Sequence, residues 1–415
     1  MDEYLRMAER IVARVEELAT ISEEQNSITR TFGSPAFIRG RNRIEAWMRE
    51  AGLETRVDNI GNLRGKFVGS HPEAKTFVIA SHIDTVVNAG KWDGPLGVIA
   101  GIDLIDEVRL KKTAVPFHIE LIAFCDEEGV RFHTTYLGSK VVAGAFEDFL
   151  LERTDAAGTT LGQVIEAMGG DVTHLDYDSI PSENWLGYLE IHIEQGPVLY
   201  EQNLSVAVVD AIAGQHRIEI AFKGMAGHAG TVPMPMRQDA LCCASEFVVA
   251  VEKYAQEHQD KLVATVGKLK ISNAASNVIP GEVICSLDVR SADEKVLESA
   301  VQHLGIVCSS ISTRRKIEMN WTLVQSTKPV ECDAALNRLL AQAIEETGVP
   351  VTALVSGAGH DAVPVSAVAP VTMLFVRCYK GISHNPLEGV ELKDIEATLM
   401  TADKFIDILI KKYTR

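Results

Sequence analysis

Short apolar runs, each closed by a polar cluster, recur along the first two hundred residues and predict strands. "GNLRGKFVG" (61–69) and "TFVIASH" (76–82) read as strands, and so do "PFHIELIAFCDEEG" (116–129) and "LGYLEIHIEQG" (186–196). Between them lie segments with a helical period: residues 1–50, and "GPLGVIAGIDLIDEVRL" at 94–110. Alternating strands and helices imply an α/β layer whose sheet is largely buried.

The pattern changes near residue 212. "QHRIEIAFKG" (215–224) alternates apolar and polar residues as a half-buried strand does, and a loop rich in Gly, His and Pro follows. Next come the helix 237–258, strands at 262–272 and 282–291, the helix 292–312 and a strand at 316–326. Four strands and two helices make an α+β unit. "VTMLFVRC" (371–378) and the amphipathic helix 392–413 then return to the α/β pattern. The expected organisation is a catalytic layer in two parts, 1–212 and 328–415, interrupted by an inserted domain at 213–327. A chain of 415 residues is also too long for one ordinary core.

A formal net charge of −17 argues against binding to a phosphate backbone or an anionic lipid surface. The charge leaves room for a small anion held in a local basic pocket. The first 18 residues mix both charge signs without an apolar core, unlike a signal peptide, and no apolar run reaches membrane-spanning length. The seven cysteines (Cys125, Cys242, Cys243, Cys285, Cys308, Cys332 and Cys378) are odd in number and scattered. Reduced thiols and a cytoplasmic setting are expected.

The candidate chemistry stands where the apolar runs end. His82 and Asp84 close one strand, and Asp93 follows in "KWDGPLG". Asp126, Glu127 and Glu128 close the next strand, and His192 and Glu194 the third. His384 lies in "GISHNP", beyond 371–378. Ligands of open α/β sheets gather at the carboxyl ends of strands, so these groups can converge across three hundred residues. Singly, a strand-end histidine is usually structural, an acid pair is usually a solvated face, and "DGPLG" is a turn before a helix. Together they form a set of imidazoles and carboxylates suited to Zn²⁺, Mn²⁺ or Co²⁺. Three histidines and several carboxylates suffice for two ions sharing a bridging carboxylate, with another acid free to accept a proton from water. His118, His174, His258 and His303 are expected to be surface or structural residues.

"SHIDTVVNAGKWDGPLGV", "DEEG", "HIEQGPVL" and "GISHNP" resemble the motifs of the dinuclear metallohydrolase family M20, most closely its carbamoylase/ureidohydrolase branch. The resemblance spans nearly the whole chain. It implies a mixed-sheet catalytic domain with an inserted lid and dimerisation domain, and two divalent ions per subunit, Mn²⁺ foremost, with Zn²⁺ or Co²⁺ as alternatives. It implies His82 and His192 on one ion, Glu128 and His384 on the other, and Asp93 bridging. Asp84 would orient His82 and Glu127 would be the general base. His228, in "GMAGHAGTVPMPMRQDA", would polarise the scissile carbonyl in the partner subunit of a homodimer. Asn277 and Arg290 would clamp a substrate carboxylate, an Arg fork being matched to that group. Gln195, Arg217 and Gly359 are further candidate substrate contacts, with His360 and Asp361 lining the same pocket. "FCDEEGVRFHTTYLGS" and "MLFVRCYKGISHNP" tilt the expected substrate, a small anionic ureide, toward allantoate. An N-carbamoyl-L-amino acid or β-ureidopropionate is the alternative.

Overall fold

A computed structural model describes residues 2–414, which form two compact units. The first runs to Asp210 and resumes at Cys332; the second is Ala211–Glu331.

The first unit is organised on a mixed sheet in the order Glu54–Val57, Leu63–Phe67, His118–Phe124, Thr76–His82, Trp185–Ile193, Val371–Val376, Val206–Ile212. Four of its strands are mutually parallel: Thr76–His82 lies between His118–Phe124 and Trp185–Ile193, and Val371–Val376 pairs with the far side of the last. Every residue of Thr76–His82 is buried, as expected of a parallel strand covered on both faces. Pro95–Leu110 is buried on most sides rather than along one stripe, which places it between other elements. The C-terminal helix Leu392–Tyr413 packs on the sheet through Phe405, whose ring centroid lies 5.9 Å from that of Phe77. Truncating either ring would cost about 3–5 kcal/mol.

The hydrophobic pattern located most of these strands. It passed over Glu54–Val57, Val206–Ile212 and Ala353–Ser356, and the helix Ala334–Glu346 with its Asp333 cap. "VAVVDAI" at 206–212 is a run too short for periodicity to separate strand from helix.

In the second unit, Gly214–Lys223 is flanked by Glu282–Ser291 and Glu318–Thr327, with the helices Ala240–Glu257 and Glu294–Arg315 packed against them. Ile218, Ile220, Phe222, Phe247, Leu287 and Leu304 lie in its own core. The strand expected at 262–272 is two short strands, Val263–Thr265 and Leu269–Ile271, both on Glu282–Ser291. Thr265 faces Asp288 and Leu269 faces Cys285, so this chain spends one more residue than its partner between those pairs. The extra residue breaks the ladder as a bulge does. His228 lies in a separate two-residue pairing with Val278.

Candidate metal centre

The carboxyl ends of the four parallel strands deliver the expected donors to one place. His82 is the last residue of its strand, His192 is the penultimate residue of its own, and Glu127–Glu128 lie in the loop that follows Phe124. His384 sits in the loop after Val371–Val376 with φ 54°. Gln195 also holds a left-handed backbone, φ 56°. Such conformations are uncommon for residues other than glycine and gather at functional sites. Gly94 opens the helix Pro95–Leu110 with φ 80°, and a Cβ there would fall 2.5 Å from the His82 ring. Glycine is therefore what lets the Asp93 loop lie directly against that imidazole.

Two donor triads share Asp93. His82, Asp93 and His192 form one; Asp93, Glu128 and His384 form the other. Asp93 Oδ1 lies 3.0 Å from His192 Nε2 and 3.4 Å from His82 Nε2. Its other oxygen, Oδ2, lies 3.3 Å from His384 Nε2, which is in turn 3.3 Å from Glu128 Oε1. The carboxylate therefore offers one oxygen to each triad. The two ring nitrogens His82 Nε2 and His192 Nε2 face each other at 3.3 Å. Their opposite nitrogens already have acceptors: His82 Nδ1 donates to the Asp84 carbonyl at 3.1 Å and His192 Nδ1 to the Ile193 carbonyl at 2.9 Å. That tautomer turns two lone pairs and a carboxylate oxygen toward one point, a set that a divalent cation satisfies. The donor chemistry fits two such ions.

Around the triads, charges are arranged to hold cations. Burial alone would lower the His82 pKa, but Asp84 and Asp93 carry it well above the usual value. Burial opposes ionisation of Asp93, yet His192, His384 and His82 hold it well below the usual range. Hydrogen bonds to Asp93 and Glu128 raise His384 to about 10. In each case the site favours positive charge among carboxylates. Glu127 differs. Burial, with Glu128 and Asp361 nearby, pushes its carboxyl well up against the opposing pull of His82, a setting that suits a proton acceptor.

Asp84 meets His82 Nδ1 twice, with its carbonyl at 3.1 Å and its carboxylate Oδ1 at 3.5 Å. The carboxylate also accepts the backbone N–H groups of Glu127 at 3.0 Å and Glu128 at 3.1 Å. It thereby ties the acid pair to the His82 strand.

Gln195, expected on the substrate, donates to Asp93 Oδ2 at 2.7 Å, as does the Ser383 hydroxyl at 2.8 Å. His360 packs edge-on against His192 with centroids 4.6 Å apart and pairs with Ser356 Oγ at 2.7 Å. Asp361 is fully buried and accepts from Ser139. Gly359 lies so close to Tyr136 that a Cβ would fall 1.7 Å from the phenol oxygen. Among the described residues, three here went unpredicted: Ser383, Glu388 and the fully buried Glu190, whose Oε2 accepts the Ala362 N–H beside Asp361 at 2.9 Å. Ser383 adjoins His384, and Glu190 stands two residues before His192. Glu388 lies two residues beyond "GISHNP", so adjacency was the available signal. His118, expected as surface or structural, is buried between the Gly69 N–H and the Pro72 carbonyl.

The remaining candidates belong to the second unit. His228 is exposed, and its Nδ1 accepts the Gly230 N–H at 3.0 Å. Asn277 is exposed. Arg217 and Arg290 meet on Asp288: Arg217 Nε donates to Oδ2 at 3.1 Å and Arg290 Nε to Oδ1 at 2.9 Å.

Residues 78–407 match peptidase family M20/M25/M40. The chain belongs to this family. It is 38% identical to allantoate deiminase 2 of Glycine max, over 96% of this chain and 89% of that protein. It is 33% identical to an N-carbamoyl-L-amino acid amidohydrolase of Geobacillus stearothermophilus, over 93% of this chain and 94% of that one. A crystal structure of a hydantoinase/carbamoylase family amidase from Burkholderia multivorans superposes with a TM-score of 0.90 at 33% identity, covering 96% of this chain and 97% of that one. The protein is a divalent-metal-dependent hydrolase acting on C–N bonds. No helix among the described residues is long and apolar enough to cross a membrane.

Proposed function

We propose that this protein hydrolyses a ureido C–N bond of allantoate, giving ureidoglycine, ammonia and carbon dioxide. The observation that carries the reading is the pair of triads sharing Asp93 with Glu127 beside them. Two divalent ions, Mn²⁺ foremost, with Zn²⁺ or Co²⁺ also compatible with the donors, would supply Lewis-acid polarisation of the ureido carbonyl and of the attacking water. His82 and His192 would hold one ion and Glu128 and His384 the other, with Asp93 offering an oxygen to each. Glu127 takes the proton from the attacking water and returns it to the departing nitrogen. The overall reaction adds one water to the H₂N–CO–NH– group and releases its carbonyl carbon as carbon dioxide.

Arg290 and Asn277 clamp the substrate carboxylate, while Arg217, Gln195 and Gly359 are further contacts. His228 polarises the carbonyl from the partner subunit of a homodimer. The strand Glu318–Thr327 supports a pairing surface: it is a sheet edge ten residues long with Leu323 and Val324 exposed. Mixing His228→Ala with Arg290→Ala subunits, each nearly inactive alone, should restore part of the activity. Confirmed heterodimers with none would remove His228 from the partner's site.

Substrate choice rests on the plant deiminase likeness, and the Geobacillus relative supports an N-carbamoyl-L-amino acid as the second reading. Ammonia release from allantoate, beside a panel of N-carbamoyl amino acids with Mn²⁺ present, tests the proposal. Preference for the panel over allantoate would transfer the assignment.

A further inference from the structure

The two triads depend on the aim of one carboxylate. Asp93 presents an oxygen to each side only if the loop between Thr76–His82 and Pro95–Leu110 is held in one place. Gln195 and Ser383 meet the Asp93 carboxylate, and Glu388 meets the backbone of its loop. Glu388 Oε1 accepts the backbone N–H of Trp92 at 2.6 Å and that of Asp93 itself at 3.0 Å. These partners are 296 and 295 residues away in sequence, and Glu388 is buried, with 4% of the residue exposed. The carboxylate lies across Gly90, where a Cβ would fall 2.3 Å from its Cδ. A glycine in that position keeps the seat open.

Glu388 also shares its loop with His384, four positions earlier. One short segment thus supplies a donor to the second triad and a clamp on the residue bridging both. Burying a carboxylate costs free energy unless it is used, and both its short contacts go to the bridging loop.

We propose that Glu388 is a positioning residue for the metal bridge. By accepting the Trp92 and Asp93 N–H groups through one oxygen, it fixes Asp93 so that both ions can bind. Its role is that of an oriented acceptor rather than of a charge. The proposal rests on the reading of the two triads as metal sites. Groups one step removed from metal ligands typically change affinity by about 10–100-fold when lost.

The test is Mn²⁺ titration of chelator-treated protein, followed through the resonance signal of free Mn²⁺, with the melting temperature of the metal-free form recorded for each variant. Wild type should bind two ions. Glu388→Gln keeps the acceptor oxygen and should titrate close to wild type. Glu388→Ala should bind Mn²⁺ about 10–100-fold more weakly. Gly90→Ala keeps Glu388 but fills its seat, and should weaken binding in the same way. If Glu388→Ala fails to fold, the Gly90→Ala and Glu388→Gln pair carries the test. Wild-type affinity in both Glu388→Ala and Gly90→Ala would overturn the proposal. So would a Glu388→Gln protein as weak as Glu388→Ala, which would make charge the operative property. A wild-type chain that takes up no Mn²⁺ would overturn the metal-centre reading and this proposal with it, a result distinguishable from failure of the clamp alone.

Discussion

His82 and His192, which meet Asp93 on one side, have side chains 1% and 2% exposed, whereas His384, which meets it on the other, is 48% exposed. The first pair stands on strand ends, with backbone carbonyls locking both rings. His384 stands on a loop, in a left-handed conformation, beside Glu128. The same ligand chemistry is thus built once into the sheet and once onto its rim. The first triad is closed off from solvent, and the exposed His384 leaves the second open to it. Asp93 belongs to both.

The largest effect expected from breaking this asymmetry comes from the sealed side. His192→Ala should reduce activity to background and lose the ion held with His82. His384→Ala should lose the other ion while keeping one tightly held. Anomalous difference density from crystals of each variant grown with Mn²⁺ shows which ion is gone, and two variants that lose the same ion would remove the distinction. Next in size is Glu127→Gln. It should retain both ions and lose about 10²–10⁴ in turnover, because only the proton acceptor is gone. Near-wild-type turnover would reject Glu127 as the base. Loss of an ion from this variant would make Glu127 a ligand.

The smallest effect is graded with pH. In the metal-free protein His384 is raised to about 10 by Asp93 and Glu128, from an ordinary value near 6.5. Loading the open triad must expel that proton, so apparent affinity should rise about tenfold per pH unit until pH approaches 10. The sign reverses for the metal-free protein. Protonated His384 contributes stability fully below about pH 6.5, and that contribution fades as pH rises toward 10. Calorimetric titration with Mn²⁺ at several pH values checks the first statement, and melting of the chelated protein checks the second. An affinity flat in pH would mean that no proton is displaced at His384.

The donors His82, Glu128 and His192 were legible because each stands at the end of an apolar run. A buried parallel strand announces itself by composition, and its polar terminus can lie only at the sheet's edge. This is why His82, Glu128 and His192 could be read together although they lie far apart. The inserted unit was legible as a change of period. What was not legible depends on loop conformation. No pattern shows that the Asp84 carbonyl joins its carboxylate at His82, or that the carboxylate also holds the Glu127–Glu128 backbone. Nothing local says that Gln195 and Ser383 turn toward Asp93, or that Glu388 reaches back across nearly three hundred residues. The break in the strand expected at 262–272 is of the same kind, a one-residue mismatch visible only once the partner strand is known.

The most direct test of the shared-carboxylate centre is anomalous difference density from crystals of the wild-type protein grown with Mn²⁺. Two peaks are predicted, one ligated by His82, His192 and one oxygen of Asp93, the other by Glu128, His384 and the second oxygen of Asp93. A single peak, or two peaks of which only one touches Asp93, would contradict the account.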